Sequence, residues 1–293
     1  MPSSNSLPKR ADGNDNYSVC ERSCAPRVRF VDEDAGLESR SVHALNAEDS
    51  SYGPAISQRD MTLPRAGQME EFMVKEVPKA VSIVWEIPKG NDLNTAMFKD
   101  FARLPFSLGT SGLCGCTSLW IISRKGVYAT HYWESISFSP DDIWREPPEE
   151  TDQSVFQRTV IHPLEHGEET EKTKRLIQAK LDAGKIEDDT IRAYLVHPEG
   201  SCAEDDEEAI DGYRSQWDQI KEKVGDIIPS LNPDTHGNRW EEIIYVRKDR
   251  EDEDLFTTAA GRVLFKFDPK HEGRKKAVLW VEDREEPYHD DEW

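Results

Sequence analysis

Two side chains in this chain have the types and spacing for covalent chemistry. Cys116 follows Gly112-Leu113-Cys114-Gly115 and opens an apolar run, and His131 comes 15 residues later, in His131-Tyr132-Trp133-Glu134. A thiol near neutral pH is mostly protonated. An adjacent imidazole that takes the proton leaves a strong nucleophile, and the same ring can then protonate a departing amine. Gly115 would let a substrate approach the backbone, and the N–H groups around Cys116 and Thr117 would bind an oxyanion. The expected roles are therefore Cys116 as nucleophile, His131 as base and then acid, and Gly115 and Thr117 as oxyanion or substrate contacts. A plainer reading stands beside this one. Cysteine is commonly a small buried hydrophobe, and a strand histidine flanked by Tyr132 and Trp133 packs and hydrogen-bonds.

A β-hairpin must position the pair. Ser118–Ser123 and Val127–Trp133 are rich in β-branched and aromatic residues. Arg124-Lys125-Gly126 joins them, with Gly126 expected at positive φ. A Lys125-Gly126 turn would set Cys116 opposite Ser135 and His131 opposite Trp120. The two side chains would then share a face but be offset along it, and a bend at Gly115 would have to close the gap.

The run Gly115-Cys116-Thr117, a hairpin and then His131 is similar to the catalytic hairpin of the cytotoxic necrotizing factor deamidases, and more loosely to the chemotaxis glutamine deamidase. The resemblance covers about 20 residues. It implies hydrolysis of a protein glutamine side-chain amide through a thioester, with a protein as substrate. Over roughly residues 78–283 the chain resembles a group of filamentous-fungal proteins, often secreted, to which no activity attaches. Leu113-Cys114-Gly115-Cys116-Thr117, Val127-Tyr128, His131–Glu134, Gly261–Phe265 and Leu279–Glu282 carry that likeness. The rival function is a noncatalytic secreted interaction protein that uses the same fold as a binding surface and meets a host protein. An extracellular location comes from this resemblance alone.

Other chemistry-bearing residues offer less. Cys202 opens a helix, but Glu204, Asp205 and Asp206 oppose a thiolate there. His162 and His166 have the spacing of a metal pair on a helix, which Pro163 interrupts. Cys114 and Cys116 have no second ligand pair at metal-site spacing, so no metal and no cofactor is expected. Cys20 and Cys24 lie in a polar tail and suit a small local disulfide. Five cysteines are an odd number and do not describe a disulfide scaffold.

The rest of the 293 residues supplies a scaffold. Only 36% are apolar, and the deficit is concentrated before residue 67. Residues 1–69 are expected to be a disordered polar tail, 70–283 an α+β domain, and 284–293 a loose acidic end. Within the domain, strands are expected at 80–87, 190–197, 242–247, 262–267 and 276–282, besides the hairpin. Helices are expected at 93–103 (Leu93, Met97, Phe101), at 168–182, and along the stripe Ile210, Tyr213, Trp217, Ile220, Val224, which Ser201 and Glu204 would cap. Residues 139–166, with four prolines, read as irregular. The order suits a single mixed β-sheet with packed helices. A net charge of −21 opposes binding to nucleic acid phosphates. No apolar run is long enough to span a bilayer, and no signal-peptide stretch is visible.

Overall fold

The computed structural model describes residues 61–84, 93–169, 176–199 and 212–293. Helix α1 (Met69–Glu76) leads through a 3-10 turn into β1 (Val81–Ser82). Strands β2 (Thr95–Asp100), β3 (Phe106–Thr110), β4 (Ser118–Ile122) and β5 (Gly126–His131) follow. A helical stretch comes next: α2 (Asp152–Phe156), a π turn (Gln157–Ile161) and α3 (His162–His166). Then come β6 (Glu168–Glu169), β7 (Leu176–Gln178), α4 (Ala183–Ile186), β8 (Arg192–Pro198) and α5 (Arg214–Ile227). The remaining elements are α6 (Pro233–His236), β9 (Trp240–Tyr245), α7 (Asp254–Thr257), β10 (Val263–His271), β11 (Arg274–Val281) and β12 (His289–Glu292).

These strands build two mixed sheets in an α+β domain. One has the order β6-β7-β2-β5-β4-β8-β9, the other β1-β3-β10-β11-β12. The sheets face each other across Trp120, Ile122, Ala129 and Tyr194 on one side and Leu108, Phe265 and Leu279 on the other. Helix α5 and the α2–α3 stretch cover the outer face of the seven-stranded sheet, where Trp217, Ile220 and Val224 meet Leu119, Ile121 and Leu195. Helix α1 covers the outer face of the other sheet, setting Phe72 and Met73 against Leu264, Val278 and Trp280. The layers thus run helix, sheet, sheet, helix, and β4, buried along its whole length, reads as a continuous apolar run for that reason.

The single sheet expected from the order of elements is replaced by two. Val263, Phe265 and Phe267 share one face of β10, as their alternation requires, but Leu264 on the other face is equally buried under α1. A strand covered on both faces needs a layer on each side. The hairpin, β8, α5, β9, β10 and β11 form where expected. Residues 93–103 hold the strand β2, Thr95–Asp100, paired with β5 along its whole length, in place of a helix. Three apolar residues at helical spacing could not outweigh that pairing. Residues 168–182 hold the short strands β6 and β7 in place of a helix. Gly109 and Thr110 end β3.

Pro163 does not keep residues 152–166 irregular. An α-helix would direct the N–H of residue 163 to the Thr159 carbonyl. Proline has none, and that carbonyl accepts from Asn94 Nδ2 at 3.1 Å and Gln178 Nε2 at 3.2 Å instead. The expected 80–87 strand is β1 alone within the described residues. The supposed loose end forms β12 on β11, where Lys276 meets Asp290 and Glu292, each at 2.8 Å. The chain is anchored before residue 69, too: Met61 N–H donates to Asp268 at 2.9 Å and Gly67 N–H to Glu285 at 2.6 Å. Residues 1–60, the Ser201–Glu204 cap, and Cys20, Cys24 and Cys202 lie outside the described residues.

Candidate functional site

Strands β8 and β9 run parallel, and β4 runs antiparallel to β8. Their carboxyl ends therefore meet the start of β4 and the end of β5. Ligands in α/β sheets collect at such ends. The topology gathers Gly115, Cys116, Thr117, His131, Glu134, His197, Tyr245 and Arg247 here.

The hairpin register differs from the expected one. Trp120 pairs with Ala129 and Ile122 with Val127, so the two turn residues are Arg124 and Lys125. Continued along the strands, this register sets Cys116 opposite Trp133 and His131 opposite Ser118, a shift of two residues that leaves both on the same face. Gly126 does not hold a positive φ. It is required by proximity: a Cβ there would lie 2.6 Å from the Lys99 carbonyl oxygen and 3.1 Å from the Phe98 ring.

Cys116 and His131 both face the layer between the sheets, and both are 0% exposed. The imidazole Nδ1 is 2.8 Å from Thr110 Oγ1, on the opposite sheet. Its Nε2 is buried with no hydrogen-bond partner among the described residues, so it is not held by the Cys116 thiol. The ring packs on Trp133 at 4.6 Å between centroids. Burial lowers the His131 pKa to about 3, which keeps the ring neutral and makes it a weak proton acceptor at neutral pH.

The groups around the pair are engaged. Thr117 N–H donates to the Tyr132 carbonyl at 3.0 Å, and Thr117 Oγ1 accepts from Trp217 Nε1 at 3.0 Å. The Cys116 carbonyl accepts from the Tyr245 hydroxyl at 2.7 Å. The space that Gly115 leaves is filled by a carboxylate: a Cβ on Gly115 would lie 1.9 Å from Glu134 Oε2. Among the described residues, Cys114 joins Cys116 in no metal-binding cluster. His162 and His166 lie side by side on α3, with ring centroids 4.3 Å apart, and belong to no such cluster either.

Two charge clusters at this end escape sequence reading. Glu134 is 2% exposed and forms a two-pronged pair with Arg247, Nη1 to Oε2 at 3.0 Å and Nη2 to Oε1 at 2.9 Å. The Tyr213 hydroxyl donates to Glu134 Oε1 at 2.6 Å. Burial, then the Glu134 carboxylate, pushes the Tyr213 hydroxyl upward, so it stays a donor. In the second cluster Glu242 accepts from Arg214 at 2.8 Å and from Lys221 at 2.7 Å. Burial would raise its pKa, but these two cations outweigh it and hold the pKa at about 2. His197 Nε2 lies 3.4 Å from Glu242, and its ring stacks on Trp217 at 3.8 Å. Glu134 stands in the motif after His131, yet its partner is 113 residues away, a separation that no local pattern bridges.

The described residues contain no helix long and apolar enough to cross a membrane. No protein-family model matches the chain, and no match is found among curated proteins.

Proposed function

We propose that this chain is a noncatalytic interaction domain in which the segment from Gly115 to His131 ties the two sheets together. The observation that carries this reading is where the segment's polar groups go. His131 reaches across to Thr110, Thr117 is held in the ladder and by Trp217, and Tyr245 holds the Cys116 carbonyl. Each bond joins one structural element to another, and none points to solvent. A protein glutamine would have to reach a thiol that has no exposed surface.

Recognition then falls to the surface. The net charge of −21 steers basic partners. Strand β9 is an outer strand of its sheet, and Ile244 on it is 58% exposed. Such an edge accepts an extended segment by strand addition, so the partner that fits is a basic, extended stretch of protein.

One observation favours the amidohydrolase reading: Cys116 and His131 face the same layer at the carboxyl ends of β8 and β9. That reading requires the layer to open. A thiol-reactive probe distinguishes the two. In the native chain Cys116 is expected to label no faster than the domain unfolds, and Cys116→Ser is expected to leave binding to an immobilised lysine-rich peptide unchanged. Fast native labelling, with ammonia release from a glutamine-bearing protein that Cys116→Ser abolishes, would overturn the proposal. So would a failure of the intact chain to retain the basic peptide at low salt.

A further inference from the structure

At the opposite end of β8, the two sheets part to leave a polar cleft of about 400 Å³. Arg192 and Tyr194 line it from β8, Arg239 from the turn before β9, and Tyr288, His289, Asp290 and Asp291 from the C-terminal segment. None of these residues belongs to the cysteine–histidine end of the molecule.

The charges in the cleft are unevenly compensated. Asp291 is gripped by Arg124, with Nε to Oδ2 at 2.8 Å and Nη2 to Oδ1 at 2.9 Å. Asp290 pairs with Lys276 at 2.8 Å. Asp291 is thus neutralised by a cation from outside the lining, whereas Asp290 shares Lys276 with Glu292. Among the described residues Arg192 and Arg239 form no ion pair, and Arg239 reaches the Asp188 carbonyl at 3.5 Å, the weak limit of a hydrogen bond. The two arginines precede neighbouring positions of parallel strands, since Ala193 pairs with Trp240. Like charges set side by side are unfavourable unless something lies between them. The remaining carboxylate of the lining, Asp189, is exposed at the rim.

A buried donor completes the arrangement. His289 is 7% exposed and its Nδ1 lies 2.9 Å from the Tyr194 hydroxyl, itself buried. A tyrosine hydroxyl that donates to Nδ1 leaves the ring proton on Nε2. In that tautomer the cleft offers two guanidiniums and an imidazole N–H, all hydrogen-bond donors. Planar guanidinium forks suit oxyanions. Two guanidiniums that hold no carboxylate suit a dianion, and the volume exceeds what a bare inorganic ion fills, leaving room for an organic group beside Tyr288.

We propose that the cleft between Arg192, Arg239 and His289 binds a phosphate monoester. The test is titration of the full chain with phenyl phosphate and with inorganic phosphate at fixed ionic strength, followed by calorimetry. Saturable binding is expected, tighter for phenyl phosphate, and at least tenfold weaker in Arg192→Gln and in Arg239→Gln. Neither arginine is buried, so both variants are expected to keep the near-ultraviolet circular dichroism of the parent. Equal affinity for the two ligands would overturn the ester and leave inorganic phosphate as occupant. Absence of saturable binding, or undiminished binding in the double variant Arg192→Gln/Arg239→Gln, would overturn the site. The cysteine variants above do not touch this cleft, so failure of one proposal leaves the other standing.

Discussion

Acid should loosen this domain through His131, by an amount that follows from its burial. The ring's pKa is about 3 in the folded chain against the ordinary histidine value of 6.5. Between those values the unfolded chain binds a proton that the folded chain refuses, so stability falls as pH is lowered from about 6.5 towards 3. Each pH unit in that window is worth about 1.4 kcal/mol. From pH 7.5 to pH 5.0 the loss from this one ring is therefore about 2 kcal/mol. His289, lowered to about 4 by burial, adds a loss of the same sign. The perturbation that isolates the first ring is His131→Leu, which cannot titrate. At pH 7.5 the variant should be less stable by about 1 kcal/mol, because Thr110 Oγ1 loses its partner. At pH 5.0 that deficit should vanish or reverse, since only the parent has been destabilised by acid at this position. Urea unfolding at the two pH values, at one ionic strength, gives the four free energies. If parent and variant lose the same stability between them, His131 does not resist protonation and the sealed inter-sheet layer is wrong.

Two substitutions test why glycine stands where it does. Gly115→Ala puts a methyl group into the Glu134 carboxylate and must separate that buried group from Arg247. A loss of about 1–3 kcal/mol is expected, the scale of overpacking a buried site, and a denaturant midpoint within error of the parent would refute the contact. Gly126→Ala presses its methyl against the Lys99 carbonyl and the Phe98 ring. It should cost about 1–3 kcal/mol by overpacking, measured by thermal unfolding. A stabilised variant would show that β2 can step back.

The sequence alone determined those parts of this protein that depend on local periodicity. The hairpin, β8, α5 and β10 are legible because each buries a repeating set of side chains: Trp217, Ile220 and Val224 on one helical stripe, Val263, Phe265 and Phe267 on one strand face. Helix α1 could have been read the same way, since Met69, Phe72, Met73 and Val77 fall at helical spacing and are all buried. What the chain does locally is insufficient elsewhere. Leu93, Met97 and Phe101 fit a helix, yet β5 offers β2 a full antiparallel ladder. Asp290 and Glu292 read as a solvated tail until Lys276 is placed beside them. The candidate site divides along the same line. Composition and spacing singled out Cys116 and His131, and alternation placed them on one face. Only the second sheet decided that this face is closed, because Thr110, which holds the imidazole, comes from β3, across the layer. The Arg247 partner of Glu134 and the unequal compensation of Arg192 and Arg239 depend likewise on which strands lie side by side, a choice made by the packing of whole layers and by no single stretch of residues.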